Sequence, residues 1–132
     1  MNKQTETLKN ILIVDDEELI LELYSDFFEQ KGFNSITAMN LREAFDIISQ
    51  QHDQLDLILS DIMLPDGKGF EIFDELEEKG YNIPIIFMTG FRYKPEIQQK
   101  LKEINAKWIS KPIKMEHLLD MINDIFGSDI NM

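Results

Sequence analysis

Short, continuously apolar runs that alternate with segments of helical periodicity are the feature that most constrains the fold of this 132-residue chain. Such runs are typical of strands buried on both faces of a parallel sheet. We predict strands at residues 10–14, 33–39, 55–60, 83–88 and 107–110. Strands that alternate with helices imply a parallel sheet covered by helices on both faces. The pattern therefore predicts an α/β fold.

Apolar residues at helical spacing occupy the segments between and after these strands. We predict helices at residues 17–31, 41–50, 69–79, 95–105 and 115–125, with Gly32 ending the first helix. Asn40 is expected to be the N-cap of the second helix, and Pro95 can lie in the first turn of the fourth. Pro65 and Gly67 indicate a loop at residues 63–68. We expect one domain at residues 10–126, with flexible ends at 1–9 and 127–132.

Four of the apolar runs lead directly into side chains that can take part in metal or phosphate chemistry. The first run is followed by Asp15 and Asp16, the third by Asp61, the fourth by Thr89 and the fifth by Lys111. Ligands bind at the carboxyl ends of strands in open parallel sheets, so these residues are expected at one edge. Three carboxylates at close range repel one another, and a hard divalent cation relieves that repulsion. We therefore predict a Mg²⁺ site.

The same residues suit phosphoryl transfer to a carboxylate. Asp61 is the predicted nucleophile, because aspartyl phosphate is an established kind of covalent intermediate. Lys111 is predicted to contact a phosphate oxygen, and Thr89 to donate a hydrogen bond to another. Each residue also has a purely structural interpretation: Asp15 and Asp16 as an acidic helix N-terminus, Asp61 as the start of a loop, and Lys111 as a solvated strand end. Their occurrence together favours the site.

Other kinds of site fit less well. A calcium loop beginning at Asp61 fails, because two of its ligand positions fall on Met63 and Pro65. The sequence has no glycine-rich phosphate loop, and its adjacent aspartates are not the spaced Asp-x-Asp of aspartate-nucleophile phosphatases. His52 and His117 are isolated from other ligand residues, and we predict that both lie on the surface.

Four motifs in this order resemble a known family. They are ILIVDDE at 11–17, SDIMLPDGKG at 60–69, MTG at 88–90 and SKP at 110–112. Over about residues 10–126 the chain resembles the receiver domain of two-component response regulators, of the chemotaxis-regulator type. The resemblance implies a flavodoxin-like, doubly wound (βα)₅ domain with a five-stranded parallel sheet of order 2-1-3-4-5.

The resemblance also implies roles for the site residues. It makes Asp61 the phosphoacceptor, and Asp15 and Asp16 the acidic pair that binds Mg²⁺. Asp16 is expected to be a direct ligand, Asp15 to act through water, and the backbone carbonyl of Met63 to be the third protein ligand. Thr89 matches the switch hydroxyl, and Lys111 matches the phosphate-binding lysine.

Further matches and departures concern the chain around the last strand. By resemblance, Trp108 is the switch aromatic and the Lys111–Pro112 peptide bond is cis. The family usually has Tyr or Phe in place of the larger tryptophan. The Gly-Ala pair that is common before the last strand is replaced here by Ile104–Asn105–Ala106, so we expect a different backbone at that point.

The implied function is a phosphoacceptor switch that takes a phosphoryl group from a histidine kinase or histidine phosphotransfer protein. Such a domain assists its own phosphorylation and hydrolysis and is not a conventional enzyme. Two rivals remain open: a degenerate receiver that only docks a partner, and a phosphohydrolase with this topology. The kinase, the output and any longer parent protein are left open by the sequence.

Charge and composition limit the partners. The net charge of −12 makes nucleic acid a poor partner. Residues 91–114 carry seven bases and two acids, and this 91–114 basic surface is either a solvated helix face or a docking surface for an unknown downstream protein. No apolar run suits a membrane span or a signal peptide, so no membrane contact is expected. The absence of cysteine weakly favours a cytoplasmic location.

Overall fold

The computed structural model describes residues 8–90 and 94–127. Within them, strands and helices alternate along the chain in this order: β1 (Asn10–Val14), α1 (Glu18–Gln30), β2 (Asn34–Ala38), α2 (Leu41–Gln51), β3 (Leu57–Asp61), β4 (Met63–Leu64), β5 (Gly67–Lys68), α3 (Phe70–Lys79), β6 (Ile85–Thr89), α4 (Pro95–Glu103), β7 (Lys107–Ser110) and α5 (Met115–Phe126). Five of the strands form a parallel sheet of order β2-β1-β3-β6-β7. This is the predicted order 2-1-3-4-5 once the hairpin β4–β5 is set apart, so the predicted fold is confirmed.

The predicted loop at 63–68 is wrong in detail, because it contains an antiparallel hairpin. Met63 pairs with Lys68 and Leu64 with Gly67, which leaves Pro65 and Asp66 as the two-residue turn. The sequence does not indicate this hairpin, because each of its strands is only two residues long and shows no strand periodicity. The hairpin follows directly on the carboxyl end of β3 and so borders the candidate site.

Two central strands are shifted toward their carboxyl ends relative to prediction. β6 begins at Ile85, directly after Pro84, which has no N–H to donate to the ladder. At their carboxyl ends β3 and β6 extend to Asp61 and Thr89. Asp61 pairs with Met88 in the β3–β6 ladder, and Thr89 pairs with Ser110 in the β6–β7 ladder. The two candidate site residues are thus the last residues of strands, and the ladders fix their backbones.

Helix boundaries agree with prediction to within one residue at every end except the carboxyl end of α4. The Asn40 side chain accepts a hydrogen bond from the Glu43 N–H at 2.8 Å, so it caps α2 as predicted, and Pro95 is the first residue of α4. α4 ends at Glu103, earlier than predicted. Asn105 there has a φ of 53°, a left-handed conformation that asparagine tolerates and that does not continue a helix. The chain therefore turns into β7 without the usual glycine.

The core lies on both faces of the sheet, as a doubly wound fold requires. Alternate residues of β1 divide between the two faces: Ile11 and Ile13 pack with residues of α1 and α5, whereas Leu12 and Val14 pack with residues of α2 and α3. A third cluster joins α3 and α4 around Phe87. No helix in the described part of the chain is long and apolar enough to cross a membrane.

The two histidines differ from each other in the structure. His117 is exposed on α5, as predicted. His52 is half-buried, and its ring stacks on that of Tyr81 with centroids 3.8 Å apart and planes within 5°. His52 is therefore only partly exposed, and its contact with Tyr81 was not part of the prediction that it lies on the surface. A contact between α2 and the segment before β6 cannot be seen in the spacing of either residue.

Leucines at opposite extremes of burial give a direct test of this core. Leu59 in β3 is fully buried, whereas Leu19 in α1 is 73% exposed. We expect Leu59→Ala to lower the free energy of unfolding by about 2–5 kcal/mol, because it removes buried methyl groups and leaves a cavity. Leu19→Ala should change it by about 0.5 kcal/mol or less. Urea denaturation measures both, and equal losses would contradict the described core.

Candidate functional site

Asp15 and Asp16 leave the end of β1 in different directions. Asp15 is fully buried, and its Oδ1 accepts a hydrogen bond from the Glu17 N–H at 2.9 Å. Its backbone N–H donates to the carbonyl of Ala38 at 3.1 Å, which ties it to β2. Asp16 is exposed. The N-cap of α1 is Glu17, so neither aspartate occupies the position of an ordinary helix cap.

The backbone at Asp61 is held from two sides. The Ser60 hydroxyl donates to the Asp61 carbonyl at 2.9 Å, and the Gly69 N–H donates to the Ile62 carbonyl at 2.7 Å. A Cβ on Gly69 would overlap the Asp61 carbonyl oxygen, so only glycine allows the chain to pass so close. Ser60 and Gly69 both belong to the motif at 60–69, but no role at the site was predicted for either residue. Their tight packing fixes the direction of the Asp61 side chain.

Lys111 joins three strand ends. Its Nζ lies 2.9 Å from Asp61 Oδ2 and 3.1 Å from Asp15 Oδ2. Its backbone N–H donates to the carbonyl of Thr89 at 2.9 Å, and Thr89 is fully buried. Thr89 follows Met88, which is paired with Asp61 across the ladder. The structure thus brings Asp15, Asp61, Thr89 and Lys111 to one edge, and the Lys111–Pro112 bond is cis as predicted.

Three carboxylates form a cluster suited to a metal ion. One carboxylate oxygen each from Asp15, Asp16 and Asp61 lies within 4.8 Å of the other two. Among the described residues, the Lys111 ammonium contacts two of these carboxylates, so the groups described there carry an excess of negative charge. An all-oxygen donor set with surplus charge fits a hard divalent cation such as Mg²⁺. The third predicted ligand, Met63, is the first residue of the hairpin, and its backbone lies close enough to the Asp61 carboxylate to lower the pKa of Asp61.

Burial and the ion pair have opposite effects on the pKa values of Asp61 and Lys111, and the net result is that both pKa values are raised. Burial raises the pKa of Asp61 above its ordinary value, and the hydrogen bond and charge of Lys111 offset this only in part. Burial lowers the pKa of Lys111, but the hydrogen bonds and charges of Asp61 and Asp15 outweigh it, so the pKa is raised. Lys111 therefore stays a cation. Burial also raises the pKa of Tyr24 in α1, which is close enough to Lys111, Asp15 and Asp61 for their charges to affect it. Tyr24 was predicted only as an apolar-face residue of the first helix.

Trp108 lies outside the core, as its position near Lys111 predicted. The residue is 37% exposed, pairs with Phe87 in the β6–β7 ladder and lines a groove with Leu101 and Lys102 of α4.

Lys111 does not belong to the 91–114 basic surface, because its ammonium is directed into the site. Residues 91 and 92, which also contribute to that stretch, lie outside the described residues.

The fold and this site define a class of signalling domain. Residues 11–123 match the family described as the response regulator receiver domain. The match covers most of the chain, so the chain belongs to that family, whose receiver domains are phosphoacceptors in two-component signalling and interact with histidine kinases or phosphotransfer proteins.

Individual proteins and solved structures that resemble this chain are also response regulators. The chain is 33% identical over 122 residues to the polar-differentiation response regulator DivK of Brucella ovis, covering 90% of this chain and 97% of that protein. The structure of the chemotaxis response regulator CheY4 of Vibrio cholerae has a TM-score of 0.79 at 29% identity, covering 90% and 99% of the two chains. A CheY-like receiver domain protein of Methanospirillum hungatei has a TM-score of 0.82 at 27% identity, covering 96% and 100%.

The raised pKa of Asp61 predicts a dependence of stability on pH. In the metal-free protein the folded-state pKa lies above the unfolded value, so folding loses stability as pH rises between the two. The uncharged amide of an Asp61→Asn variant would mimic the protonated carboxyl. We therefore expect Asp61→Asn to raise the melting temperature of metal-free protein by a few degrees at pH 7, and to have no such advantage below about pH 3.9.

Thermal unfolding in EDTA across this pH range measures the effect. Asp74→Asn is the matched control, because Asp74 is exposed on α3. An Asp61→Asn protein that melts below the wild type at pH 7 would show that the Lys111 contact outweighs burial.

Proposed function

We propose that this domain takes a phosphoryl group from a phosphohistidine donor onto the carboxylate of Asp61, with Mg²⁺ bound in the acidic cluster. The observation that carries the proposal is the position of Asp61. Its carboxylate lies at the end of a central strand, 2.9 Å from the Lys111 ammonium and within the three-carboxylate cluster. The donor is a histidine kinase or a histidine phosphotransfer protein, in keeping with the receiver family.

The transfer forms one bond and breaks another. A carboxylate oxygen of Asp61 attacks phosphorus, the P–N bond to the donor imidazole breaks, and the imidazole nitrogen leaves with the electron pair. Lys111, already bound to Asp61 Oδ2, places its positive charge where a phosphoryl oxygen arrives. Thr89, at the end of the neighbouring strand, donates a hydrogen bond to another phosphoryl oxygen. Later attack of water on phosphorus breaks the acyl P–O bond and restores the carboxylate.

The proposed metal ligands follow from which oxygens are already engaged. Both carboxylate oxygens of Asp15 accept hydrogen bonds, one from the Glu17 N–H and one from the Lys111 ammonium, so Asp15 would act on the ion through water. Asp16 is exposed and within reach of the cluster, so it would hold the ion directly, together with Asp61 and the Met63 carbonyl. Bound Mg²⁺ would neutralise negative charge that develops on the phosphoryl oxygens.

The proposed domain spans residues 10–126 and turns over no external substrate. A phosphohydrolase is the rival from another class, and turnover of a small phosphate ester beyond one equivalent would favour it. A degenerate receiver that only docks a partner is the second rival. It is disfavoured by the ion pairs that hold Asp15, Asp61 and Lys111 together. A cytoplasmic location stays a prediction.

The output is proposed to pass from Thr89 to Trp108. When Asp61 carries a phosphoryl group, the Thr89 hydroxyl is drawn toward it and vacates space beside β7. Burial of the exposed indole in that space would change the face that includes Lys102 and Lys107, within the 91–114 basic surface. The downstream protein at that surface is unknown, and a solvated helix face is the alternative.

Covalent phosphorylation tests the central proposal. We expect acetyl phosphate with Mg²⁺ to add one phosphoryl group to the wild type, detected by intact mass, and EDTA to abolish the adduct. Asp61→Asn should give no adduct, because the amide is nearly isosteric but a poor nucleophile. The exposed control Asp74→Asn should react normally. A full adduct on Asp61→Asn would move the phosphoacceptor to another residue.

Indole emission tests the switch, because Trp108 is the only tryptophan. Beryllofluoride with Mg²⁺, a phosphoryl mimic, should shift or quench the emission as the ring turns inward. Asp61→Asn should abolish this change, and Thr89→Ala should reduce it. Identical spectra with and without the mimic, where calorimetry shows that the mimic binds, would exclude Trp108 as the moving residue.

A further inference from the structure

The turn of the β4–β5 hairpin is tied to a helix far away in the sequence. Asp66 Oδ1 accepts a hydrogen bond from the Leu41 N–H at 2.8 Å, and Oδ2 accepts one from the Arg42 N–H at 3.1 Å. Each oxygen of one carboxylate thus binds a different backbone amide. The contact joins the segment after Asp61 to the start of α2, and sequence analysis assigned Asp66 no role.

The start of α2 needs these two bonds. The first amides of a helix have no partner within it. Asn40 supplies an acceptor for the Glu43 amide through its side chain, and its carbonyl accepts from the Ala44 amide. The Leu41 and Arg42 amides are left for Asp66. The hydrogen bond from the Leu41 amide is the main reason that the pKa of the Asp66 carboxyl lies below its ordinary value, and the bond from the Arg42 amide lowers it further. The group is therefore a charged acceptor at neutral pH.

The hairpin that Asp66 anchors borders the nucleophile. Its first residue, Met63, follows Asp61 by two residues and pairs with Lys68, and the Gly69 N–H closes its far end onto the Ile62 carbonyl at 2.7 Å. Apolar packing supports the same position: Leu64 lies in the core cluster that contains Leu41. A displacement of the turn would therefore be transmitted over three residues to the backbone at Met63.

We propose that Asp66 is a positioning residue, which holds the hairpin against α2 and so keeps the Met63 backbone in place beside the Asp61 carboxylate. The alternative is that Asp66 only caps a helix. In that case its loss would weaken α2 and leave the hairpin as it was. The consequence for Mg²⁺ rests on the proposed function, because it requires the Met63 carbonyl to be a ligand.

Amide hydrogen exchange in metal-free protein tests the positioning role without any metal. The Met63 and Gly69 amides report on the hairpin, and the Leu59 amide in central β3 corrects for global unfolding. We expect Asp66→Ala to speed exchange at Met63 and Gly69 about tenfold relative to Leu59, the equivalent of one lost bond to a charged group. Asn40→Ala is the matched control, because it removes another cap of the same helix. It should leave this ratio unchanged.

Two further variants separate charge from hydrogen bonding. Asp66→Asn keeps the side-chain shape and one acceptor oxygen, so the Met63 and Gly69 amides should exchange more slowly than they do in Asp66→Ala. Glu43→Gln removes one negative charge from the same helix end and can keep the Glu43 bond to the Met39 amide, so exchange at Met63 and Gly69 should not change. Equal exchange ratios in Asp66→Ala and Asn40→Ala would overturn the positioning role.

Calorimetric titration with Mg²⁺ alone then tests the consequence at the site. We expect Asp66→Ala to weaken Mg²⁺ binding by about threefold or more, and Asn40→Ala and Glu43→Gln to leave it nearly unchanged. An unchanged Mg²⁺ affinity in Asp66→Ala would overturn the link to the metal ligand. If the wild type itself bound no Mg²⁺, the proposed function would fail, and the exchange ratios would still decide the role of Asp66.

Discussion

One ammonium group shared between two buried carboxylates is the interaction on which the site depends. Lys111 joins the ends of β1 and β3 from its place after β7, so residues far apart in sequence converge. Buried carboxylates are tolerated only with such a partner, because loss of the cation would leave uncompensated buried charges, which typically costs about 3–5 kcal/mol. Within the described part of the chain the neutralisation is incomplete, since Asp16 adds a third carboxylate. A fully neutral cluster would be more stable, but it would attract a cation less strongly.

Asp61, the proposed nucleophile, is held by several contacts, and the outward-facing residues are not held in the same way. Around Asp61 the backbone is fixed by the Ser60 hydroxyl, the close approach of Gly69 and the hairpin anchored at Asp66. These contacts keep the carboxylate in place, which would lower the cost of reaching a reactive geometry in the proposed transfer. Trp108 instead lies exposed in a groove beside α4. A switch needs both properties: a fixed acceptor and a neighbouring group with more than one place to go.

The sequence predicted the sheet well and the short connections poorly. Continuous apolar runs and helical spacing depend on burial, so they identified five strands, five helices and the residues at the strand ends. The hairpin at 63–68, the early end of α4 at Glu103 and the stacking of His52 on Tyr81 were not predicted. Each of these depends on backbone conformation or on a contact between distant segments, which leaves no periodic trace in the sequence.

The sequence by itself determined the chemistry available to this protein: which strands are buried, and that Asp15, Asp16, Asp61, Thr89 and Lys111 lie at their ends. Only the tertiary structure decided how these groups are shared. It paired Asp15 with Glu17 and Lys111, left Asp16 exposed, and used Asp66, which looked like an ordinary turn residue, to hold the hairpin against α2. The physical reason is that hydrogen-bond partners are allotted by distance and direction after folding, whereas the sequence specifies only the number and kind of donors and acceptors.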